Sequence, residues 1–90
     1  MIDNVSFSLD GWDEYTSWQT EDKRIIKKIN ALIRDIVRNG HSGIGHPEPL
    51  KHNLDGYWSR KINEKNRLIY RIFDDGKIEI IHCRGHYQGK

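Results

Sequence analysis

A carboxylate, an arginine, a histidine and a tyrosine stand out in the second half of the chain. Glu48 lies between Pro47 and Pro49, Arg67 opens an apolar run, and His86-Tyr87 lies near the C-terminus. Together these residue types suit metal-free cleavage of an RNA phosphodiester. That reaction needs a base for the 2′-hydroxyl proton, a cation for the pentacovalent phosphate and an acid for the departing 5′-oxygen. Each residue also has a plainer account: Glu48 as an exposed turn, Arg67 as an ordinary strand cation, His86-Tyr87 as a frayed end. Residue types alone leave both open.

A second constellation mixes cations with aromatics between positions 51 and 70: Lys51, His52, Tyr57, Trp58, Arg60, Lys61, Lys65 and Arg67. Cations track a phosphate backbone, and aromatic faces stack on unpaired bases. Trp58 has the strand parity of Ile62, so it reads as core. His41, His46 and His52 share one loop region, and Cys83 precedes His86 by three. Their spacing fits no zinc pattern, so no metal or other cofactor is expected. Glycine-rich nucleotide loops, paired cysteines and nucleophile-elbow serines are absent.

The elements that must position these residues follow from hydropathy patterning. Residues 5–8 alternate as a short half-buried strand. Ser8 can cap a helix over 9–19, with a stripe of Leu9, Trp12, Tyr15 and Trp18 that Gly11 weakens. Thr20 is the next cap candidate. It would open a helix over 21–39 whose apolar positions (Ile25, Ile29, Leu32, Ile36 among them) recur at helical spacing until Asn39-Gly40. Residues 40–49 hold the chain's glycine and proline cluster and read as a loop. Strand-like runs cover 57–63, 67–73 and 77–83, with Asp74-Asp75-Gly76 as a hairpin turn. In the second run Leu68, Tyr70 and Ile72 share the inner face, leaving Arg67 and Arg71 outside. The whole predicts a single α+β domain over 1–90, two N-terminal helices packed on a small antiparallel sheet with its other face open to an anionic ligand.

Composition narrows the classes. The 90 residues hold fifteen basic and thirteen acidic side chains. Residues 1–40 carry a net −1 and residues 41–90 a net +3, so one anion-facing surface in the C-terminal half is expected. One cysteine allows no internal disulfide. No apolar run nears the roughly 20 residues of a membrane helix. The N-terminal MIDNVSFSLDGW lacks a basic start and an apolar core, so the expected address is cytoplasmic.

The stretch PEPLKHNLDGYWSRKINEKNRLIY (47–70), the terminal CRGHYQGK and the upstream WDEYTSWQTEDKRIIKKINALIRDI (12–36) resemble the YoeB/Txe toxins of the RelE superfamily. The resemblance implies a RelE-like, microbial-RNase-like fold and a ribosome-dependent endoribonuclease that cuts messenger RNA in the ribosomal A site. It implies a YefM/Axe-like antitoxin whose C-terminal segment wraps the toxin, operator DNA bound only through that antitoxin, and it admits a homodimer. By position it assigns Glu48 as general base, Arg67 as phosphate-stabilising cation, His86 as general acid and Tyr87 as an RNA-positioning tyrosine. Lys51, His52, Arg60 and Lys61 fall where RNA or ribosome contacts are expected. The chain departs from the family pattern in Gly85, where an aromatic is usual, and in Gln88, Gly89 and Lys90 after the His-Tyr pair. The competing class is a catalytically weak module that blocks the ribosome or serves as antitoxin-binding co-repressor.

Overall fold

The computed structural model describes residues 2–86. Ser8 is extended and its hydroxyl accepts the Gly11 N–H at 3.0 Å, so it ends β1 (Asn4–Phe7) and opens α1 (Leu9–Glu21). Thr20 does not cap the second helix as expected. Asp22 does: its N–H donates to the Trp18 carbonyl, and its carboxylate accepts the Arg24 N–H at 3.0 Å. One residue thus closes α1 and starts α2 (Lys23–Asn39), because a carboxylate there satisfies a free donor at the positive end of the helix dipole. Thr20 stays inside α1, its hydroxyl donating back to the Ser17 carbonyl at 3.3 Å.

The remaining strands are β2 (Glu48–Pro49), β3 (Trp58–Lys61), β4 (Arg67–Ile72) and β5 (Lys77–His82), with one 3-10 turn at His52–Leu54. Their order across the sheet is β1-β5-β4-β3-β2. β3, β4 and β5 pair antiparallel, as expected, and β2, in the stretch read as a loop, adds to β3 in the same sense. β1 joins β5 in parallel, with Val5 opposite Ile78, so the sheet is mixed rather than antiparallel throughout.

α2 buries Ile25, Ile29, Leu32 and Ile36 against Leu68, Tyr70, Ile78 and Ile80. Each such side chain is worth about 1.5–3 kcal/mol on burial, which is what holds a domain without disulfides. α1 packs differently from its apolar stripe. Leu9 is 84% and Trp12 49% exposed, whereas Gly11 and Trp18 are buried. A Cβ on Gly11 would lie 2.5 Å from the Ile80 carbonyl oxygen, so the glycine that weakens the helix also lets it dock on β5. The buried face runs through Gly11, Glu14 and Trp18. There the Glu14 carboxylate accepts the Cys83 N–H at 2.7 Å, and Trp18 Nε1 donates to the Cys83 carbonyl at 3.0 Å.

Candidate active site

Strand register places the site residues. Glu48 pairs with Ser59, Ser59 with Ile69, and Lys61 with Arg67. Paired residues share a face, as do positions two apart, so all of these lie on the side away from the helices. That side is not bare, contrary to expectation. Ile69 and Ser59 are buried there, and Leu50 is buried outside the main core cluster. The segment 50–57, closed by the Leu50 N–H on the Tyr57 carbonyl, turns back beside Arg71. An uncovered central isoleucine would have stayed wet; the polar groups are left around it.

Arg67 is half-buried at the start of β4. Its Nη1 donates to the Asn63 carbonyl at 2.6 Å and the Asn66 carbonyl at 3.2 Å, and its backbone N–H donates to the Gly85 carbonyl at 2.9 Å. The chain therefore delivers His86, which is exposed, from directly beside Arg67. Gly85 is itself held in place. Its φ of 90° is the left-handed value glycine favours, and its N–H donates to Asn66 Oδ1 at 2.8 Å. Arg84 is anchored too, its guanidinium 3.8 Å over the Trp18 ring and paired with Glu21 at 2.9 Å. Tyr87 lies outside the described residues.

Glu48 is exposed on β2, two strands from β4 and roughly 10 Å across the sheet. Lys51 and His52 follow it, both exposed, and His52 holds a positive φ of 58°. Lys61 is half-buried and its ammonium meets Glu64 at 2.6 Å. Arg60 corrects the sequence reading. It is fully buried and faces the helices, where it ion-pairs with Asp35 of α2. The same Nη1 that meets Asp35 also donates to the Ile44 carbonyl at 2.9 Å, while Nη2 donates to the Gly40 and Ser42 carbonyls at 2.6 and 3.1 Å and Nε to Tyr70 Oη at 3.2 Å. A cation spent on these partners cannot also face RNA. It instead fixes the loop 40–45 that leads into β2. The parity that marks Trp58 as core applies equally to Arg60, two residues on.

The Arg60 hydrogen bond holds the Asp35 carboxyl below the usual carboxylate range. Burial, reinforced by the nearby Arg60 charge, lowers His41, whose ring stacks on Trp58 at 3.9 Å. Burial also pushes the Cys83 thiol up to about 12, which keeps it inert. Among the described residues no group of three or more His, Cys, Asp or Glu could hold a metal ion. What the arrangement can offer is a free carboxylate, a braced arginine and an exposed imidazole in sequence across the sheet.

The fold is that of small bacterial toxins. The structure of a YafQ mutant from E. coli superposes with a TM-score of 0.79 over 96% of this chain and 94% of its own, at 17% identity. The chain belongs to the YoeB family: the description "YoeB-like toxin of bacterial type II toxin-antitoxin system" matches residues 7–87. It is 54% identical to toxin YoeB of Escherichia coli K12 over 90% of this chain and 95% of that one. A YoeB/ParE toxin from Agrobacterium tumefaciens superposes with a TM-score of 0.91 at 44% identity, covering 94% and 100% of the two chains. The Staphylococcus aureus YoeB-YefM complex gives 0.87 at 46% identity, over 93% and 97%.

Proposed function

We propose that this toxin is a ribosome-dependent endoribonuclease cutting messenger RNA in the ribosomal A site. The observation that carries the reading is the position of Arg67 between Glu48 on β2 and the strand end bearing His86. Glu48 takes the 2′-hydroxyl proton, and the freed oxygen attacks phosphorus. Arg67 neutralises the phosphorane oxygens, and His86 returns a proton to the 5′-oxygen. The products are a 2′,3′-cyclic phosphate and a 5′-hydroxyl, reached without metal. Tyr87 is assigned to positioning the RNA, and Lys51, His52 and Lys61 to its backbone or the ribosome. Arg60 acts on this site only through the loop.

The partner is a YefM-like antitoxin, by analogy with the S. aureus complex. An acidic segment that orders on binding suits a half-chain of net +3. Operator DNA is then reached through the antitoxin, and the toxin acts in the cytoplasm, where its ribosomes are. A homodimer is in keeping with the S. aureus YoeB dimer, which is 48% identical to this chain. Induced expression followed by mapping of transcript ends tests the reading. Growth arrest with messages cut inside ribosome-occupied codons supports it; arrest with intact messages replaces cleavage by ribosome blocking.

A further inference from the structure

We propose that Asn66 is a positioning residue that aims His86 through Gly85; the inference rests on the cleavage mechanism above. β4 and β5 do not keep register where the site is built. Three steps along β4, from Tyr70 to Arg67, match five along its partner, from Ile80 to Gly85. A bulged ladder leaves strand donors without strand acceptors. The Gly85 N–H is one, and Asn66 Oδ1 takes it at 2.8 Å.

Asn66 is suited to this task because it is itself fixed. It is only 8% exposed, and its Nδ2 donates to Asn63 Oδ1 at 3.1 Å. Asn63 Oδ1 also accepts the Asn66 and Lys65 N–H groups at 2.9 and 3.0 Å, closing the turn. Gly85 is therefore bonded on both sides, its N–H to Asn66 and its carbonyl to the Arg67 N–H at 2.9 Å. Those two groups belong to the peptide planes before and after Gly85. Fixing both planes at a φ of 90° fixes the direction in which His86 leaves the sheet. The same turn braces the Arg67 guanidinium through the Asn63 and Asn66 carbonyls. Acid and cation are thus referenced to one four-residue turn.

The test is a double-mutant cycle read by single-turnover cleavage on programmed ribosomes, with Gly85 amide exchange followed by NMR. Misplacing a reacting group by about 1 Å can cost about 100-fold, so Asn66→Ala should lower the saturated rate by about that factor while half-saturation barely moves. In a His86→Ala background the same change should cost less than about 3-fold, because the acid it aims is gone and Arg67 is braced by backbone carbonyls that the substitution keeps. Asn66→Asp keeps an oxygen for the Gly85 N–H but loses the amide donor to Asn63 Oδ1, so it should recover only part of the rate. Equal losses in both backgrounds, or no loss in either, overturn the proposal. If the wild-type chain cleaves nothing, the endoribonuclease reading fails, and amide exchange then decides the placement. Faster Gly85 exchange in Asn66→Ala upholds it, and unchanged protection overturns it.

Discussion

Glu48 and Arg67 are held in opposite ways, and their substitutions should behave accordingly. Glu48 is an exposed side chain on a two-residue edge strand with prolines on either side. Glu48→Gln keeps its shape and removes its charge, so stability should stay within about 0.5 kcal/mol of wild type. Cleavage should fall by about 10²–10⁴, the usual worth of a general base. A wild-type rate on ribosome-bound message would remove Glu48 from the mechanism. Arg67 is braced by two carbonyls, so its guanidinium is already aimed before RNA arrives. Such a cation acts on charge that develops in the transition state. Arg67→Ala should therefore lower the single-turnover rate by about 10²–10³ while ribosome affinity changes far less. A proportional fall in both would make Arg67 a docking residue.

At the scale of elements, α2, the loop 40–45 and β2 form one unit whose bolt is Arg60. Arg60→Met removes the charge but keeps much of the length, leaving Asp35 and three loop carbonyls without their donor. Breaking such a pair from the buried side should cost on the order of 3 kcal/mol, measured by denaturant unfolding. Cleavage should also fall, because β2 loses the loop that delivers Glu48. Unchanged stability with weakened RNA binding would restore Arg60 to the RNA face. The helices and the β4–β5 hairpin were legible from sequence because periodicity and turn chemistry are local signals. The boundary at Asp22 was not, since Thr20 and Asp22 are both good caps two residues apart. Arg60 could have been placed by its parity with Trp58 and Ile62, but its partner Asp35 lies 25 positions away and carries no pattern. Asn66 and Glu14 escaped for the same reason: each bonds the segment that follows β5, at Gly85 and Cys83, where the strand pairing has lost its register and no alternation announces it.

Over the whole molecule, the perturbed acids and the perturbed histidine push stability in one direction with pH. Asp35, Asp22 and Glu64 are all held below ordinary carboxylate values, first by side-chain hydrogen bonds from Arg60, Arg24 and Lys61 respectively. A depressed carboxyl contributes stability that is complete above its unfolded value and lost as pH falls through its folded one. His41 is lowered from 6.5, so its unfolded form also binds the proton first, and its contribution is lost as pH falls below 6.5. Of the three carboxylates, Asp22 and Glu64 sit in exposed pairs worth little, while Asp35 faces a guanidinium wholly removed from water. The melting temperature should thus ease downward below pH 6.5 and drop steeply below about pH 4, near the unfolded carboxylate range. Asp35→Asn leaves Arg60 buried without an anion, so it should melt lower at pH 7. It should also lose the steep acid drop, since the group that must be protonated is gone. His41→Gln should instead remove only the shallow upper decline. Thermal scans of the three proteins from pH 3 to 8 separate these terms, and a full acid drop in Asp35→Asn would transfer the effect to the surface pairs.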